Sequence, residues 1–200
     1  DDRRLRHQGF GQPLGVFFLD PGFLFLQPSQ GVGGQHLAFD LGDLAYYRRR
    51  DEDDSHDRMV VDFENSYHLA FVNQRLLGTV SLTEDIDSFI QEKDLGPDAA
   101  DIERDSLSER ISRSRKKIKS ALMDQNLTAG IGIVFADEIM FHARIKPDRK
   151  ASDLTDSELR RLYSRMKYVL GNASAARTSG RELPESWITS HRTDKDSCPR

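Results

Sequence analysis

The stretch Asp124–Ala143, DQNLTAGIGIVFADEIMFHA, decides the reading of this sequence. Just upstream, Ile118, Ala121, Leu122 and Gln125 recur at i, i+3, i+4 and i+7, the spacing of one helix face. Lys116, Lys117 and Lys119 fall on other faces, and this helix is expected to end near Gln125. A tight Ala129-Gly130-Ile131-Gly132 turn follows, and a second helix starts at once with Ile133, Ala136, Met140 and Ala143 as its apolar stripe. Two glycines allow the backbone to bend there and to approach a ligand closely. The first amides of a helix lack intrahelical acceptors and sit at the positive end of its dipole, so such a turn can hold a phosphate. A glycine-containing corner between two helices, with no ligand, has the same sequence form.

Outward from this segment the helical period extends both ways. Leu159, Leu162, Met166 and Val169 form a third stripe, opened by Thr155-Asp156-Ser157-Glu158, which has capping-box form. Pro184 ends the helical region, and Gly96-Pro97 begins it, with Pro97 expected in a first turn where its missing N–H costs nothing. Before residue 94 the pattern is that of strands. Gly15–Leu19 and Phe23–Leu26 flank the turn signal Asp20-Pro21-Gly22, and His36–Leu41 and Leu44–Tyr47 follow. Met59–Phe63 and Tyr67–Val72 flank Glu64-Asn65-Ser66, a hairpin signal, and Gly78–Leu82 closes the set. The acid-rich Arg48–Arg58 reads as a solvent loop. Strands at this spacing predict a sandwich or a partly open barrel.

The 200 residues are 37% hydrophobic and 31% charged, the composition of a folded chain rather than a collagenous or low-complexity one. No run approaches the length of a membrane span, and no secretory segment is recognisable. One cysteine, Cys198, leaves no internal disulfide framework and points to a reducing, cytoplasmic setting. The net charge of −4 hides an asymmetry. Residues 1–93 carry 9 basic and 16 acidic side chains, whereas 94–200 carry 20 and 17. Arg110–Lys119 holds six basic residues and no acid, a local field that suits a polyanion, although a solvated helix face looks the same.

One ordered set of residues carries a resemblance. Lys119, Leu122-Met123-Asp124-Gln125, Ala129-Gly130-Ile131-Gly132, Ala136-Asp137-Glu138-Ile139-Met140-Phe141 and Ile145-Lys146-Pro147 closely resemble the helix-two-turn-helix signature of the formamidopyrimidine-DNA glycosylase/endonuclease VIII family. Upstream, Leu95-Gly96-Pro97-Asp98 continues the match, and Leu69–Gly78 resembles the family's void-filling loop. Downstream, Leu183-Pro184, Trp187, His191-Arg192 and Cys198-Pro199-Arg200 resemble the approach to its C-terminal zinc finger. The likeness is good over roughly 43–200 and poor over 1–42.

The resemblance implies excision of oxidised or ring-opened bases from duplex DNA, with the damaged nucleotide flipped out, followed by cleavage at the abasic site. It implies phosphate binding by Lys119, Gly130, Ile131 and Gly132. In the loop that includes Asn73, it implies that Arg75 pairs with the base left opposite the lesion and that Leu77 fills the gap. Read alone, the same loop is a hairpin end with an exposed Arg. Several positions depart from the family. Asp1-Asp2 stand where it has an N-terminal Pro-Glu, so nucleophile and acidic partner are both missing. Gln12 stands for a phosphate-binding Lys, Asp40 for a wedge Met, and Ile133 for a phosphate-binding Asn. Cys198 supplies a single ligand of a zinc site that needs four, so no cofactor is expected in this chain, although zinc is expected in the full-length family.

The expected fold is therefore α+β. An incomplete β-sandwich spans 1–93, an all-α helix-two-turn-helix domain spans 94–180, and the start of a truncated zinc finger spans 181–200. The expected partner is duplex DNA containing oxidised bases or abasic sites, bound by a monomer without membrane attachment. Cut at both ends, such a chain is expected to keep phosphate-dominated DNA affinity and little or no catalysis; whether it is an enzyme stays open. A non-catalytic nucleic-acid-binding module and a protein-interaction domain are the alternatives.

Overall fold

The computed structural model describes residues 14–19, 23–28, 36–40, 43–47, 56–62, 67–179, 182–193 and 196–199. They form an α+β arrangement of two compact units, divided at Ile86/Asp87.

The first unit contains β1 (Leu14–Leu19), β2 (Phe23–Pro28), β3 (His36–Asp40), β4 (Asp43–Tyr47), β5 (Asp57–Asp62), β6 (His68–Val72) and β7 (Thr79–Thr83). Their order is β1-β2-β3-β7 in one sheet and β4-β6-β5 in another. β3 pairs antiparallel with β2 and β7, and β6 pairs antiparallel with β4 and β5. β6 is central in its sheet, and Leu69, Ala70 and Phe71 are buried accordingly. All seven strands predicted from the sequence are present, with ends shifted by one or two residues. The acid-rich loop is shorter than predicted because Asp57 and Arg58 already belong to β5. The predicted hairpin turn at Glu64–Ser66 and all of Arg48–Ser55 lie outside the described residues.

The second unit holds α1 (Ile86–Glu92), α2 (Arg104–Arg113), α3 (Ile118–Leu122), α4 (Ile133–Ala143) and the long α5 (Asp156–Ser179), with 3₁₀ turns at Ala151–Asp153 and Ile188–His191. Its core is continuous: Leu107 and Ile111 of α2, Ile118 and Leu122 of α3, Ile139 of α4, and Leu162, Met166 and Val169 of α5 all lie within it. The predicted third stripe is buried in full, and α5 starts as its sequence requires. The amide of Thr155 donates to Glu158 Oε2 (2.9 Å) and the amide of Glu158 to Thr155 Oγ1 (3.4 Å), a reciprocal cap.

Two expectations need correction. Pro97 is not in a helical first turn; α2 begins only at Arg104, and Pro97 lies in an extended link whose carbonyl accepts Ala129 N–H (2.9 Å) and Thr128 Oγ1–H (3.0 Å). Ile133 leaves the second stripe: Ala136, Met140 and Ala143 are buried, but Ile133 is 53% exposed. At the first helical position the side chain projects past the end of the core that the rest of the stripe covers.

Candidate nucleic-acid interface

The segment between α3 and α4 is shaped by one side chain. α3 stops at Leu122, so Gln125 lies beyond it in the turn rather than on the helix face. Its amide nitrogen donates to the carbonyls of Met123 (3.2 Å) and Ile131 (3.1 Å), and its Oε1 accepts the amide of Gly130 (2.9 Å). Gly130 sits at φ 96°, a conformation that L side chains rarely adopt. Ile131 then drives its side chain into the core, 1% exposed, and the chain emerges at Gly132 in an extended conformation (φ −95°, ψ 179°) as the N-cap of α4. A Cβ at Gly132 would meet nothing within 4 Å.

The donors available to a ligand therefore differ from those expected. Gly130 is buried and its amide is taken by Gln125, so neither Gly130 nor Ile131 presents an outward group. The open amides begin at Gly132 and continue through Ile133, Val134 and Phe135; the first intrahelical bond is that of the Ala136 amide with the Gly132 carbonyl (2.9 Å). No side chain caps them. Gly132 and Ile133 are exposed, so solvent reaches this end of the helix.

The neighbouring cations are mostly committed. Lys119 Nζ lies 2.6 Å from Asp137 Oδ1 on α4, and Arg192 Nη2 lies 3.8 Å from Asp137 Oδ2. Lys116 pairs with Asp124 (2.6 Å), Arg113 with Glu109 (2.5 Å), and Arg110 donates to the Leu127 carbonyl (3.3 Å). Among the described residues, Arg115 and Lys117 of the basic run are exposed and have no acceptor. The run is not one helix face: it spans the end of α2, a link, and the start of α3.

Sequence reasoning missed Glu138. Its carboxylate is fully buried in α4 and accepts the amides of Ile188 (3.2 Å) and Thr189 (2.9 Å) and the Thr189 hydroxyl (2.6 Å). His142 Nε2 is 3.0 Å from Glu138 Oε1, close enough for an ion pair yet making no hydrogen bond. Trp187 is buried beside it, its ring edge-on to His142 (centroids 5.7 Å apart). An acid set among Ala136, Ile139 and Met140, with a His four residues on, is the signal that could have revealed this anchor.

In the first unit, the loop after β6 separates its predicted residues. Asn73 is buried, its amide donates to the His56 carbonyl (2.9 Å) and its own carbonyl accepts Arg58 Nε–H (3.1 Å), so it anchors the loop and does not face outward. Arg75 is exposed, and Leu76 and Leu77 are 68% and 66% exposed. Leu76 has φ 56°, an uncommon conformation for a branched residue that turns the loop tip. Lys119, Gly130, Ile131 and Gly132 share the second unit; Asn73, Arg75 and Leu77 share the first.

A family model described as the formamidopyrimidine-DNA glycosylase H2TH domain matches residues 95–183. The formamidopyrimidine-DNA glycosylase of Bacillus cereus (strain ATCC 10987 / NRS 248) is 32% identical over 155 residues, covering 76% of this chain and 56% of that protein. Residues 95–183 belong to the H2TH domain family of formamidopyrimidine-DNA glycosylases. The enzyme of the same name from Listeria monocytogenes serotype 4b is 29% identical over 167 residues, covering 74% of this chain and 61% of that protein. The chain thus spans little more than half the length of these relatives. Its fold is similar to the Lactococcus lactis glycosylase bound non-covalently to DNA containing an AP site (TM-score 0.72, 24% identity, 83% of this chain and 65% of that one). It is also similar to MutM in complex with DNA containing carbocyclic 8-oxo-G (TM-score 0.71, 23% identity, 88% and 67%).

The family implies a zinc finger, and the described residues do not fit one. Among them no three His, Cys, Asp or Glu side chains converge on a common point. Cys198 is exposed, and His191 Nε2 is within 2.6 Å of the Glu185 carbonyl. Expectations attached to Asp1, Asp2 and Gln12 lie outside the described residues; Asp40 closes β3, opposite Phe23 and Thr79. No helix of the described residues is long and apolar enough to cross a membrane.

Proposed function

We propose that this chain binds the sugar-phosphate backbone of damaged duplex DNA as part of a base-excision-repair glycosylase. The observation that carries the reading is the solvent-facing row of uncapped amides at Gly132, Ile133 and Val134, with Lys119 and Arg192 close by. A phosphate there accepts several N–H donors at the positive end of an 11-residue helix. The helical residues 94–180 are assigned this grip, and 181–200 the approach to a zinc finger. The strands of 1–93 are assigned a glycosylase sandwich that carries the lesion-side loop. In that loop Arg75 offers its donor fork to an unpaired base edge and Leu77 offers an apolar wedge. Excision of an oxidised base and cleavage at the resulting abasic site are the activity this reading attaches to the whole protein, acting as a monomer.

The test is fluorescence anisotropy with two duplexes of one sequence, one intact and one carrying a tetrahydrofuran abasic analogue. The account predicts tighter binding to the abasic duplex, with Arg75→Ala erasing that preference and Lys119→Ala weakening both alike. Equal affinity for the two duplexes contradicts a repair role, and no duplex binding at low salt contradicts nucleic-acid binding altogether.

A further inference from the structure

We propose that Arg192 is a second phosphate-binding cation at the start of α4 and that buried Glu138 is the residue that positions it; the inference rests on the duplex-binding reading above. Asp137 and Glu138 are consecutive, so the helix turns them about 100° apart. Glu138 faces inward and takes three donors from Ile188 and Thr189, while Asp137 faces Lys119 and Arg192. The inward carboxylate, with Trp187 buried alongside, clamps the segment 184–191 onto α4. Arg192 is the next residue along, so its place beside Asp137 is set by that clamp.

The two cations on Asp137 are not equivalent. Lys119, at 2.6 Å, is within charged hydrogen-bond distance of one carboxylate oxygen. Arg192, at 3.8 Å from the other oxygen, lies beyond that distance, and among the described residues its guanidinium donates to no acceptor. Its side chain is 42% exposed. Two positive charges share one negative, which leaves a surplus charge and an uncommitted planar fork, the geometry that suits a phosphate oxygen pair.

The experiment is a salt titration of binding to the abasic-analogue duplex by the full chain and its variants, with thermal melting of each. Arg192→Ala is expected to weaken binding roughly fivefold and to reduce the slope of log Kd against log salt by about 0.9, the loss of one phosphate contact. Arg192→Lys keeps the slope, and neither changes the melting temperature. Glu138→Gln weakens binding in the parent chain but adds no further loss to Arg192→Ala, because it acts through Arg192; if that variant does not fold, Thr189→Val takes its place in the cycle. An unchanged slope in Arg192→Ala, alongside weakened binding in Lys119→Ala, overturns this inference and leaves the duplex-binding reading standing. Equal, additive losses for Glu138→Gln in both backgrounds overturn the positioning role. Absence of duplex binding by the parent chain overturns both readings.

Discussion

At φ 96°, Gly130 occupies backbone space where a side chain crowds the following carbonyl, and its amide is already held by Gln125. Gly132, two residues on, has ordinary extended geometry and open space around its Cα. The two glycines therefore serve different ends, and substitution separates them. Gly130→Ala is expected to cost about 1–2 kcal/mol in denaturant unfolding, whereas Gly132→Ala stays within about 0.5 kcal/mol. Gly96 is more constrained still: an added Cβ would lie 2.6 Å from the Asn126 carbonyl oxygen and 2.8 Å from that of Leu127, so Gly96→Ala forces backbone apart and costs about 2–3 kcal/mol. Ile133 is exposed at the first position of α4, so replacing it with Asn leaves stability unchanged and adds a donor beside the open amides; duplex affinity measured by anisotropy is expected to rise several-fold. The sequence identified the glycine-bearing turn but not which amides stay free. Gln125 looked like the last residue of a helix stripe, and only its actual place past α3 turns its side chain back onto Gly130.

Elements with regular periods were legible, and those held by side-chain contacts were not. The strands could be read as short apolar runs bounded by turn signals, and the α5 stripe because its 3.6-residue spacing follows burial directly. α1 was missed: its seven residues carry too little period, and Thr83 Oγ1 accepts the Asp85 amide (3.2 Å) just before its start. The segment 184–191 is legible only through the resemblance at Leu183-Pro184, Trp187 and His191-Arg192, and the contact that docks it onto α4 comes from Glu138, some fifty residues earlier, where no local period reveals it. The capping box of α5 was legible and has a measurable consequence. Arg149, together with the Thr155 amide and hydroxyl, holds the Glu158 carboxyl down at about 2. A depressed acid stabilises the fold above its unfolded value and loses that contribution as pH falls toward the folded one. Thermal melting is therefore expected to drop between about pH 4.5 and pH 2, and the drop is expected to shrink in Glu158→Gln, which lacks the carboxylate at every pH.

On the scale of the whole molecule, charge is distributed so that the helical unit bears the basic excess and the strand-rich unit the acidic one. An overall charge of −4 concealed this, because the field near a docking site depends on neighbouring groups and not on the total. The split at Ile86/Asp87 leaves each unit with its own candidate contacts, the amides of α4 in one and the Arg75–Leu77 tip in the other. The resemblance to a glycosylase over roughly 43–200 centres on the Gly-Ile-Gly turn and its flanking residues, of which the fold exposes Gly132 and Ile133 at the helix end and buries Gly130 and Ile131. The roles tied to Asp1, Asp2 and Gln12 belong to positions that the described structure does not reach.

The central claim is that the open amides of α4 accept a DNA phosphate. Amide proton–nitrogen NMR spectra recorded while the abasic-analogue duplex is titrated in test it most directly. The account predicts large downfield proton shifts, saturating with the duplex, at Gly132, Ile133 and Val134, while Gly130, already bonded to Gln125, stays in place. Binding that shifts other amides and leaves those three where they were would contradict it.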